Sequence, residues 1–145
     1  MYIYWAALGL IVISLGLLTQ KQNNDEALSS SASIDALSRS MLVYRDAAAE
    51  YAHSNPGFTG VPTDTALKLP SWYVKQIGVT SYIVGGISYT FVAAPPAGLP
   101  GVLAKHTESA TVGFKRNGLL YSPTTGNTSI IVPAAVPEGS VVAVY

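Results

Sequence analysis

The chain has 145 residues, with eight Lys and Arg balanced by eight Asp and Glu, and no cysteine. That length allows one modest domain beyond an anchor, and a net charge of zero leaves no electrostatic footprint for nucleic acid. The absence of cysteine excludes disulfides, thiolate metal sites and thiol nucleophiles, and is compatible with a reducing or an oxidising compartment.

Residues 2–19, YIYWAALGLIVISLGLLT, carry no charge and predict a transmembrane helix. At about 1.5 Å per residue they extend roughly 27 Å, close to the hydrocarbon thickness of a bilayer. Leu8, Leu10, Ile11, Val12, Ile13, Leu15, Leu17 and Leu18 supply the apolar surface. Tyr2, Tyr4 and Trp5 sit at one edge, where amphipathic rings favour the headgroup level, and the polar run from Gln20 to Asn24 marks the other. A cleaved signal peptide needs a basic leader and a small-x-small site, and neither pattern occurs here, so the segment reads as a permanent anchor. The flanking charges do not set its orientation. The Thr, Ser, Tyr and Gly-rich remainder favours an N-terminus inside and a domain outside the cytoplasm.

The expected division is an anchor over residues 1–20, a polar neck over 21–33 and a single domain over 34–145. Ser29, Ser30, Ser31 and Ser33 weaken a helix because short hydroxyl side chains compete for backbone hydrogen bonds, so the neck is expected to be flexible. From Ile34 the apolar positions are Ile34, Leu37, Met41, Tyr44, Ala48 and Tyr51, alternating three and four apart. This spacing predicts a one-sided helix over 34–55, ended by Asn55, Pro56 and Gly57. Such a stripe packs either on its own domain's sheet or on a partner helix.

Residues 58–70 read as a connection punctuated by Gly60, Pro62 and Pro70, with the β-rich part following over 71–145. Trp72 and Tyr73 are large amphipathic residues and are taken as core anchors. No charge occurs from Gln76 to Ala104, so that run needs burial or a partner. Within it, Gly85 and Gly86 between β-branched and aromatic flanks predict a hairpin of strands 80–84 and 87–92; a second membrane span is the rival reading. The prolines and glycines of 94–101 are expected to exclude regular structure, and 102–108 to form a single helical turn or a loop. Asn117 and Gly118 predict a second hairpin, 110–116 with 119–122, beside which Lys115 and Arg116 read as solubilising charges at a sheet edge. Residues 129–132 and 141–145 are the final strands. The fold class is therefore α+β, an amphipathic helix across an antiparallel sheet of about five or six strands, following an N-terminal transmembrane helix.

Catalytic ingredients are scarce. His53 lies at a helix end, where the dipole explains it, and His106 beyond the proline-rich loop. The pair His106 and Glu108 has the spacing of a zinc deaminase half-site, but that chemistry also needs cysteine ligands. Asp64, Glu108 and Glu138 are scattered over predicted turns, and no nucleophile elbow, Walker loop or dinucleotide fingerprint occurs. No catalytic residue, cofactor, metal or small-molecule substrate is expected.

An apolar helix leading into an antiparallel sheet resembles the type IV pilins, but the basic leader ending in Gly and the Glu five residues beyond it are missing around Gly9 and Gly16. The chain is more similar to the PilM family of conjugative thin-pilus (type IVB) systems. The similarity rests on MYIYWAALGLIVISLGLL, IDALSRSMLVYRDAAAEYAHSNPGFTG and LKLPSWY. That resemblance implies a noncatalytic component of the pilin transport apparatus or pilus basal body. It would be single-pass in the bacterial inner membrane with a periplasmic domain, and would contact the membrane, other pilus-assembly envelope proteins or pilins, or further copies of itself. A minor pilin or pseudopilin is the alternative.

Overall fold

A computed structural model describes the backbone of residues 2–145 and the side chains of residues 25–145. The predicted anchor residues, from Tyr2 to Leu18, therefore lie outside the described side chains. Among the described residues no helix is long and apolar enough to cross a membrane. The chain divides into two units, Met1–Ser33 and Ile34–Tyr145. Helix α1 spans Tyr2–Ser54. The Ser31 and Ser33 hydroxyls donate to the carbonyls of Ala27 and Ser29, each four residues back, at 2.9 Å. Both hydroxyls are thus satisfied within the helix.

In the second unit α1 is followed by β1 (Val79–Val84), β2 (Ile87–Val92), α2 (Leu99–Thr107), β3 (Val112–Arg116), β4 (Leu119–Ser122), β5 (Gly126–Ile131) and β6 (Val141–Val144). The six strands form one antiparallel sheet in the order β1-β2-β6-β3-β4-β5. The two hairpins turn where expected, with positive φ at Gly85, Gly86, Asn117 and Gly118. The uncharged run is thus not a membrane span: its strands β1 and β2 lie in the sheet, and β2 is buried from Ser88 to Val92.

Strand β6 sits centrally, and all four of its residues are buried. A strand covered on both faces reads as a continuous apolar run, here Val141-Val142-Ala143-Val144, rather than as an alternation. On one face Val141 and Ala143 join Val79, Val92 and Val112 beneath Met41, Tyr44, Ala47 and Ala48 of α1 and Leu99 and Leu103 of α2. On the other, Val142 and Val144 pack with Tyr89, Phe91, Leu120, Val132 and Val136. Ile34, Leu37 and Tyr51 are partly buried against the first cluster.

Three local expectations are corrected. Helix α2 begins at Leu99, inside the run expected to be irregular, because Pro100 falls in its first turn, where no intrahelical N–H is required. It also lasts nine residues, more than a single turn. Lys115 is not a solubilising edge charge. β3 is an interior strand, and the Lys115 side chain is 5% exposed. Its ammonium donates to the carbonyls of Pro133 at 3.0 Å and Val136 at 2.7 Å, which pins the segment between β5 and β6. Trp72 is not a core residue, as described below.

Gly113 in β3 lies tight against the β4 main chain. A Cβ there would collide with the Tyr121 carbonyl oxygen and meet the Ser122 Cα at 2.9 Å. The neighbours are main chain, so they cannot rotate away. Gly113→Ala is expected to destabilise the domain by about 2 kcal/mol or more, the scale of an overpacked core. The check is a lowered urea midpoint with an unchanged slope.

Candidate functional site

Residues 61–78 form a strap beside α1, with little regular structure of its own. Polar side chains fasten it. Tyr44 is fully buried, and its hydroxyl donates to Asp64 Oδ1 at 2.7 Å. Lys75 Nζ donates to the same oxygen at 2.7 Å and lies 4.6 Å from the centre of the Tyr44 ring. The Tyr73 hydroxyl donates to the Ser40 carbonyl at 3.1 Å and exchanges a hydrogen bond with Ser40 Oγ at 3.0 Å. Further along, Lys68 pairs with Glu50 at 2.9 Å.

These contacts shape the titration of the cluster. Burial, reinforced by the Asp64 carboxylate, raises the Tyr44 phenol well above its ordinary value. Burial likewise raises Tyr73. The hydrogen bond from Lys75, followed by that from Tyr44, lowers Asp64. The cluster is a fastener: a neutral phenol and an ammonium share one carboxylate oxygen.

Between the strap and α1 runs a row of grooves. The widest, about 600 Å³, is bordered by Arg39, Val43, Trp72 and Val74. A second, of about 290 Å³, lies between Val43, Asp46, Pro70 and Trp72. A third, of about 220 Å³, lies near Tyr51, Asn55 and Lys68. Trp72 borders the first two and is 70% exposed, which corrects its expected place in the core. Tyr73 takes the inward position instead, partly buried against the core cluster. Val74 and Ile77 are 77% and 99% exposed, so with Trp72 the C-terminal part of the strap presents three large apolar side chains outward.

Within the predicted stripe, Met41, Tyr44 and Ala48 face the sheet. The groove is built by other residues of the same helix, Arg39, Val43, Asp46 and Glu50. Sequence reasoning missed these, and missed the pairing of Asp64 with Lys75, because the strap's path over the helix is not a local property. A helical reading of outward positions three and four apart, from Arg39 to Glu50, could have found the helix side.

His106 lies on α2, not in a loop. Its Nδ1 is 3.1 Å from Ser38 Oγ and its Nε2 3.1 Å from Asp35 Oδ1, while Asp35 also pairs with Arg39 at 2.8 Å. The order acid, imidazole, hydroxyl is that of a nucleophile relay, but Ser38 is fully buried and no substrate carbonyl can reach its oxygen. The arrangement ties α2 to α1. His53 lies exposed on the last turn of α1. Among the described residues no group of three or more His, Asp or Glu is placed to hold a metal ion.

A family model for PilM matches residues 8–144. The chain belongs to the PilM family. The crystal structure of a protein designated PilM from Pseudomonas aeruginosa 2192 is 49% identical, with a TM-score of 0.52, over 77% of this chain and 92% of that one. A protein designated PilM from Escherichia coli B7A shares the fold at 23% identity, with a TM-score of 0.59, over 79% and 93% of the two chains. A search of curated proteins found no match. Family membership makes this a pilus-related protein. Two of the strings that carry the PilM resemblance, IDALSRSMLVYRDAAAEYAHSNPGFTG and LKLPSWY, fold into the two walls of the groove.

A carboxyl held below its ordinary value stabilises the fold at neutral pH, and the contribution is lost as pH falls through the lowered value. Asp64 is 51% exposed, so solvent screening limits that contribution to about 1 kcal/mol. Asp64→Asn is expected to lower the unfolding midpoint near neutrality. The gap from the unsubstituted chain should close in acid, in paired unfolding series against pH.

Proposed function

We propose that this PilM protein is a noncatalytic inner-membrane component of type IVB pilus assembly. Residues 2–19 anchor it, the C-terminal domain lies in the periplasm, and the α1 groove binds other pilus-assembly proteins. The observation that carries this reading is Trp72, a large ring left exposed between two grooves while the polar groups around it satisfy one another. Aromatic residues beside pockets are the side chains that dominate protein interfaces. The polar clusters, by contrast, have structural tasks: Asp64 and Lys75 hold the strap, and His106 holds α2. The uncharged 2–19 stretch supports the anchor by its length and its flanking aromatic residues.

Trp72→Ala in the host is expected to leave the domain's stability within about 0.5 kcal/mol, as for an exposed position. Pilus assembly should fall about tenfold or more, the effect of losing an interface anchor. Normal pilus numbers at normal protein levels would overturn the groove assignment. Intact mass and protease accessibility of the membrane-extracted protein test the anchoring. An unprocessed chain with a domain cut only from the periplasmic side is expected. Loss of residues up to Gly9 or Gly16 would favour a minor pilin or pseudopilin instead.

A further inference from the structure

The turn between β3 and β4 holds a reactive dipeptide, Asn117-Gly118. Succinimide chemistry needs an asparagine followed by a residue whose backbone nitrogen is free to attack it, and glycine obstructs that attack least. In a two-residue turn of this kind, with φ of 52° and 76°, the second residue's N–H points away from the strand ladder and is ordinarily left to water. Here it is not. The Gly118 N–H donates to Glu138 Oε1 at 2.9 Å, and the Gly118 carbonyl accepts from the Val132 N–H at 2.9 Å. Glu138 is itself 57% exposed, and the buried Lys115 ammonium, 3.5 Å from the same Oε1, holds the carboxylate in place.

We propose that Asn117 is a modification site gated by this carboxylate. When Glu138 releases Gly118, the Gly118 nitrogen gives up its proton to solvent and attacks Asn117 Cγ. The new C–N bond closes a succinimide, and the bond from Cγ to the side-chain nitrogen breaks as that nitrogen takes a proton from solvent and leaves as ammonia. Water then opens the ring, at one carbonyl to aspartate or at the other to isoaspartate, which routes the main chain through an extra methylene. While Glu138 is in place it opposes the first step twice. It stabilises the protonated amide through a charge-assisted hydrogen bond, and its negative charge disfavours the amide anion. The gate is therefore the run from Lys115 through Glu138 to Gly118, and it opens wherever the segment between β5 and β6 detaches from β3.

The test follows ammonia loss and isoaspartate at Asn117 by peptide mapping of the full chain, folded and in urea, for the unsubstituted protein, Glu138→Gln and Glu138→Ala. The folded unsubstituted chain is expected to react about tenfold or more slowly than the unfolded one, the scale of a charge-assisted hydrogen bond. Glu138→Gln, which keeps shape and an acceptor but loses the charge, should raise the folded rate several-fold and Glu138→Ala more, with all three rates equal in urea. Equal folded rates in the three proteins, or no reaction at Asn117 in urea, would overturn the proposal. Hydrogen exchange at the Gly118 amide of the unsubstituted chain gives a readout that does not depend on a variant. Protection is expected, and exchange at the rate of a free amide would sink the gate.

Discussion

Tyr44 joins the core to the candidate site. Its ring is buried among Met41, Ala48 and the strands beneath α1, while its hydroxyl reaches the one carboxylate oxygen that also receives Lys75. Burying a phenol without a partner is costly, so the fold requires Asp64 to be where it is. Asp64 in turn fixes the strap, and the strap supplies Pro70, Trp72 and Val74 to the grooves. Packing, polar satisfaction and the shape of the surface thus form a single chain of dependence.

The charges follow the same logic. Asp35 with Arg39, Arg45 with Asp46, Glu50 with Lys68 and Asp64 with Lys75 are all paired along α1 and the strap. A surface whose charges answer one another exerts little long-range steering. Recognition there falls to shape and to the apolar residues that stand clear of the surface.

Much of the fold was legible in the residues because its signals are local. Gly85-Gly86 and Asn117-Gly118 mark their turns by φ alone, and the spacing of Ile34, Leu37, Met41 and Tyr44 marks a helix. The misreadings of Lys115 and Trp72 came from contacts distant in sequence. Lys115 looks like a surface residue until the carbonyls of Pro133 and Val136 close over it. Trp72 and Tyr73 are adjacent large aromatic residues, and it is Tyr73 that turns in, to Ser40 and the core cluster, while Trp72 stays out. Pro100 signals a break only if one ignores that a helix can begin on it. Of the candidate site, the helix was visible as an element, but the groove was not, since it exists only once the strap is laid beside it.

The central place of β6 has a kinetic meaning. Strands β1 and β2 form one hairpin and β3, β4 and β5 a second local set, and the two sets touch only through a strand that is last in sequence order. Neither set can bury both faces until Val141 to Val144 arrive between them, so both apolar clusters form together and late. Such a topology folds slowly, because the decisive pairing closes a loop across much of the domain. During that interval β2 and β3 each present an unpaired edge toward the vacant slot. A chain synthesised N-terminus first passes through this open form each time it is made, with its aggregation risk concentrated before its final residues are delivered.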